Sequence, residues 1–131
     1  MKESAPMTTL PLITFRATVL NSPNPEALAG FYSRLLGWPI VDSDPTWARL
    51  EHPDGGTTLS FQIEDIYVRP TWPAAPGTQQ MMQHLDFRVE DLAAASAHAE
   101  ACGAIRADDR SQEGLHVYRD PDGHVFCLFT L

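Results

Sequence analysis

The 131-residue chain carries 17 acidic against 9 basic side chains, a formal charge of −8, and 44% hydrophobic residues. That length and apolar content can close one core without a staple, while the acidity repels phosphate backbones and anionic headgroups, so nucleic acid and membrane surfaces are not expected partners. Met1 to Pro11 has no basic start followed by a long apolar run and reads as a disordered leader rather than a signal peptide or transmembrane helix.

Leu12 to Val19 alternates, with Ile13, Phe15, Ala17 and Val19 on one face and Thr14, Arg16 and Thr18 on the other, which predicts a strand. Asn21-Ser22-Pro23-Asn24 is turn chemistry, and Asn24 before Pro25 is a helix start. Leu28, Phe31 and Leu35 recur at helical spacing until Gly37, a residue suited to the left-handed position that ends a helix. Strands are expected at Pro39–Asp42, Thr46–Glu51 and Thr57–Ile63, the last two joined by the Pro53-Asp54-Gly55-Gly56 turn.

Residues 64–80 change character. Pro70, Pro73 and Pro76 remove backbone donors and Gly77 loosens the chain, so this is a linker. Its Trp72 either anchors the loop by packing or acts as a lid.

The second half repeats the first: a strand His84–Val89, a helix Leu92–Cys102 capped by Asp91 and ended by Gly103, a short strand Ala104–Ala107, then strands Leu115–Arg119 and Val125–Leu131 around Pro121-Asp122-Gly123. Gly37 and Gly103 stand 66 positions apart and the two Pro-Asp-Gly turns 68 apart, so the chain is an internal duplication of β-α-β-β-β. The expected fold is α+β: module one at 12–63 and module two at 81–131, forming a cupped, half-open mixed sheet with the helices outside.

Chemistry concentrates on one strand face. Period-two alternation sets His84, Asp86 and Arg88 together, where the carboxylate can hold the imidazole charged or fix its tautomer for acid–base work. Arg16 and Arg88 offer planar forks for a carboxylate or phosphate. Asp86 can equally pair with Arg88, and His84 can bond across strands. His52 and His98 read as solvated surface, His116 as able to reach the cup and His124 as a rim residue, while Trp47 and Tyr118, on corresponding third strands, read as core rather than as apolar walls for a ligand. Cys102 and Cys127 lack metal-finger spacing and read as reduced thiols of a cytoplasmic protein.

In their order, Asn24-Pro25-Glu26-Ala27-Leu28-Ala29-Gly30-Phe31-Tyr32, Leu35-Leu36-Gly37-Trp38, Phe61-Gln62, Pro70-Thr71-Trp72-Pro73, Gln83 to Leu92, Gly103-Ala104 and Asp120 to Leu128 resemble the vicinal-oxygen-chelate superfamily, most closely its small bacterial glyoxalase-like domains. That superfamily includes glyoxalase I, bleomycin-resistance proteins, fosfomycin-resistance enzymes, epimerases and extradiol dioxygenases. The resemblance implies paired modules around a concave site, a homodimer, and, in metal-dependent members, ligands from the first and last strand of each module. Carried over, those places fall on Thr14 and His84, near Gln62, and on Cys127. Threonine and cysteine depart from the pattern, so the expected cofactor is none or one divalent ion, with His84 and Gln62 its candidate ligands and metal-free use ahead. The expected function is binding of a small anionic or oxygen-rich molecule by Arg16, Gln62, Trp72, Arg88 and Cys127, as in bleomycin-resistance proteins. The alternative is a metal-dependent lyase, isomerase or transferase with His84 as ligand or base and Asp86 assisting.

Overall fold

The computed structural model describes residues 9–130, with the backbone alone at 108–111. The chain runs β1 (Ala17–Ser22), α1 (Pro25–Leu36), β2 (Ile40–Asp44), β3 (Trp47–Glu51), β4 (Thr58–Ile63), β5 (Leu85–Arg88), α2 (Leu92–Cys102), β6 (Ile105–Gln112), β7 (Leu115–Arg119) and β8 (Val125–Phe129). It is an α+β protein of two tandem β-α-β-β-β modules. Each module forms its own open four-stranded sheet, ordered β1-β4-β3-β2 and β5-β8-β7-β6. In each, the first strand lies parallel to the last and the remaining pairs are antiparallel.

Both helices begin and end on local chemistry. The Asn24 side chain accepts from the Ala27 amide at 3.2 Å, Pro25 takes the first position, and Gly37 closes α1 at φ 74°. Asp91 accepts from Ala94 at 3.0 Å and Gly103 ends α2 at φ 114°. Their apolar sides meet one face of each sheet and merge into one core: Leu28, Phe31 and Tyr32 of α1 join Leu50, Phe61, Tyr118, Phe126 and Leu128. The Tyr32 ring stacks on Phe61 at 5.7 Å and meets Phe126 at 6.2 Å, so a module-one residue packs on both sheets.

β1 departs from expectation at both ends. Pairing with β4 starts where the Thr58 amide donates to the Arg16 carbonyl and runs through Ser22. Leu12, Ile13 and Phe15 alternate correctly but have no strand beside them among the described residues, and they are 95%, 84% and 73% exposed. Asn21 and Ser22 looked like a turn because they are polar, yet Ser22 is buried and its hydroxyl donates to Asp122 at 2.6 Å. β6 runs to Gln112 rather than Ala107, with a register break after Ala107. Residues 1–8 of the expected leader lie outside the described residues. No helix among the described residues is long and apolar enough to cross a membrane.

Candidate functional site

Each sheet has a second face, turned away from the helices. On module two the β5–β8 register sets Asp86 beside Cys127, and the same parity puts His84 and Arg88 on that face. His84 Nε2 lies 3.1 Å from Asp86 Oδ1, and these groups and Cys127 Sγ all fall within 4.8 Å of one another. His84 and Asp86 are about half exposed, whereas Cys127 is buried. Burial, the Asp86 charge and a hydrogen bond from the thiol to Asp86 push the Cys127 thiol up to about 11.

The other side of Cys127 is dry. It belongs to an apolar cluster with Ala107, Val117 and Val125, against which Trp72 and Met81 of the linker pack. The linker is tied down there by Arg119 Nη2 donating to the Trp72 carbonyl at 3.1 Å and by the Thr71 amide donating to Gln79 at 2.8 Å. Trp72 thus covers the second module's helix-free face.

Module one does not mirror the arrangement. The helix caps Asn24 and Asp91 correspond, which makes Ala17 the counterpart of His84 and Val19 that of Asp86. Val19 pairs with Ser60 as Asp86 pairs with Cys127, so Ser60 is the counterpart of Cys127. Counting from Asn21 had put Thr14 opposite His84, but the capping residue is Asn24, three positions later. Gln62 shares the helix-free face with Ser60 and Thr58 and lies between Asn21 and Trp47, one pleat beyond the position that matches Cys127. Arg16 precedes β1 with the parity of Thr18 and Leu20, opposite to Ala17 and Val19, so the structure does not bring it to the face that carries His84. A metal site shared by the modules therefore lacks donors at Ala17 and has only a hydroxyl at Ser60.

Two adjoining clefts open along the seam between β1 and β5. One, of about 440 Å³, has Thr18, Leu20, Met82, His84, His124 and Val125 in its wall. The other, of about 400 Å³, is bordered by Val19, Asn21, Glu64, Tyr67, Met82 and His124. His124, expected only at a rim, stands in both: its Nε2 is 2.7 Å from the Asn21 carbonyl and 3.3 Å from the Tyr67 hydroxyl. The Tyr67 hydroxyl donates to the Asp122 carbonyl at 2.7 Å, and burial with the nearby Asp120 and Asp122 charges raises its pKa. Tyr67 carried no sequence signal. A tyrosine in a proline-bearing linker becomes a wall residue only through a contact 55 residues away.

The remaining residues sort themselves by face. His116 turns toward α2, with Nδ1 2.7 Å from Ser96 Oγ, and not into the helix-free face; burial and the Arg106 charge lower its pKa. His98 is not simply solvated, since its Nε2 lies 3.1 Å from the last carbonyls of α1, Arg34 and Leu35. His52 sits edge-on to Trp38 at 5.0 Å. Tyr118 and Trp47 lie on corresponding third strands, Tyr118 in the core and Trp47 on the opposite face of its sheet.

Residues 17–129 match the family model described as the glyoxalase-like domain. The chain is 41% identical over 106 residues to the uncharacterized protein YaeR of Escherichia coli (strain K12), covering 76% of this chain and 81% of that protein. Among solved structures it superposes on protein ATC0852 of Agrobacterium tumefaciens with a TM-score of 0.69 at 25% identity, over 92% and 98% of the two chains. It superposes also on a glyoxalase/bleomycin resistance protein/dioxygenase family enzyme of Burkholderia phytofirmans PsJN with a TM-score of 0.68 at 16% identity, over 90% and 98%. The second likeness is one of fold.

Proposed function

The chain belongs to the glyoxalase-like domain family, within the vicinal-oxygen-chelate superfamily, and from that premise we propose that it binds a small anionic or oxygen-rich molecule in the seam cleft beside His84. The observation that carries this reading is the composition of that wall: two imidazoles, His84 and His124, set among the apolar Leu20, Met82 and Val125. Such a lining holds a compact ligand by its apolar part and orients it by a few polar groups. Arg88 shares the face of His84 and supplies the fork for an anionic group. Bound ligand then meets an imidazole whose tautomer Asp86 biases, and that pair is what supports the alternative, a lyase, isomerase or transferase with His84 as base. A second copy of the chain is proposed to cover the exposed Leu12, Ile13 and Phe15, which precede β1 without a partner strand among the described residues. Sedimentation of wild type against Phe15→Glu tests that pairing. The thiols of Cys102 and Cys127, both unpaired, suit a reducing cytoplasm.

Calorimetric titration of a panel of 2-oxo acids, 2-hydroxy acids and catechols against wild type, His84→Ala and Met82→Trp tests the cleft. At least one class should bind with a Kd that rises more than roughly tenfold when Trp fills the space beside Met82. Absence of binding across the panel, or binding that ignores both substitutions, would sink the reading.

A further inference from the structure

We infer that His84, Asp86 and Cys127 form a three-donor site for a thiophilic divalent cation of the zinc or cobalt kind, built on the second sheet alone. The inference rests on three observations. First, the donors converge. Ligands of a tetrahedral zinc ion stand roughly 3.4 to 3.6 Å apart, given bond lengths of about 2.0 to 2.3 Å. His84 Nε2 and Asp86 Oδ1 are 3.1 Å apart, and Cys127 Sγ, within 4.8 Å of both, needs only a side-chain adjustment of about an ångström.

Second, the chemistry of the set differs from one shared between modules. Ala17 contributes no donor and Ser60 at most a hydroxyl, so the first sheet adds no imidazole, carboxylate or thiolate. A thiolate, an imidazole and a carboxylate together favour zinc or cobalt over magnesium, which demands oxygen ligands in octahedral array. The thiol and carboxylate supply two negative charges against the two positive charges of the ion. The thiol proton, held now against Asp86, leaves to solvent as the sulfur bonds to the metal, with no change of oxidation state.

Third, the surroundings suit a bound ion. Trp72, Met81, Val117 and Val125 keep the sulfur side dry, while His84 and Asp86 stay open as an entry path. Three protein donors also leave a coordination position unfilled, as in zinc sites that handle small molecules.

The test uses the full chain and cobalt(II) as the probe. One cobalt per chain should bind, with a thiolate-to-cobalt charge-transfer band in the near ultraviolet; zinc should bleach it, and a hundredfold excess of magnesium should not. Cys127→Ser should abolish the band, His84→Ala and Asp86→Asn should weaken binding more than roughly tenfold, and Cys102→Ser, at the far end of α2, should change nothing. Sub-stoichiometric cobalt, a band that survives Cys127→Ser or follows Cys102, or displacement by magnesium would overturn the inference. His84 is exposed enough for its alanine variant to fold, so that measurement decides the matter even if Cys127→Ser does not fold. The inference shares with the proposed cleft its His84 wall and the Asp86 beside it. Ligand titration of metal-free protein therefore judges that reading separately.

Discussion

Asp120 holds the modules together with a carboxyl that water does not reach. Its Oδ2 accepts from the Tyr32 hydroxyl at 2.7 Å, and its Oδ1 accepts from the amides of Asp122 and His124 at 2.9 and 3.0 Å. Burial raises its pKa, and that effect outweighs His124 and the hydrogen bonds, which lower it. The folded protein therefore binds more protons than the unfolded chain between the ordinary carboxylate pKa of 3.8 and the raised one. Across that window stability falls as pH rises, and above it the loss is complete. Asp120→Asn should flatten this slope while keeping an acceptor for the two amides. Asp120→Ala should cost about 3 kcal/mol at pH 4.5, because it strands the Tyr32 hydroxyl and both amides, and less at pH 7.5, where the wild type has already lost the stability linked to the Asp120 proton. Urea denaturation at the two pH values measures both, and an Asn variant with the wild-type slope would reject the account. Little of this was legible beforehand. The sequence places Asp120 in a turn, but its partner Tyr32 lies 88 residues away. His84 and Asp86 were legible as a pair because period two is local, whereas Cys127 joined them only through the β5–β8 register.

The helices were read nearly to the residue, since Asn24, Gly37, Asp91 and Gly103 each act on the turn beside them. Strand limits were not, because a strand is as long as the edge available to it: β1 begins where β4 reaches it, whatever the alternation of Leu12 to Phe15. Thr14 missed the position that matches His84 because the helix cap is Asn24 and not Asn21, and Gln62 lies one pleat beyond the match to Cys127. The linker was legible as irregular and its Trp72 as an anchor or a lid, but the face against which it packs was not. If Trp72 anchors it by packing against Cys127, Val117 and Val125, Trp72→Ala should cost about 3 kcal/mol by leaving an unfilled space on that face. A mobile lid would cost under about 0.5 kcal/mol, the range of surface substitutions. A urea midpoint at constant m-value separates the two.

Duplication gives the molecule two similar modules, but its core does not divide with them. Phe31 and Tyr32 of α1 lie against Phe126 at 6.1 and 6.2 Å, and Tyr32 also stacks on Phe61 of its own sheet. Around these rings the crossings are polar and reciprocal. Ser22 donates to Asp122, His98 reaches the α1 carbonyls, His124 meets the Asn21 carbonyl, and Arg34 donates to the Cys102 carbonyl at 3.3 Å. A half of the chain would expose the large faces of these aromatic residues and orphan Asp120 or Tyr32, while falling to a size at which a core is marginal. Residues 1–63 and 81–131 expressed separately should therefore show no cooperative urea transition and no near-ultraviolet dichroism. The intact chain should unfold in a single step seen alike by fluorescence and far-ultraviolet dichroism. A cooperative transition in residues 81–131 alone would mean that the second sheet can close its own core. The seam, with its clefts and the His124–Asn21 contact, would then be a docking of two finished parts rather than part of the fold itself.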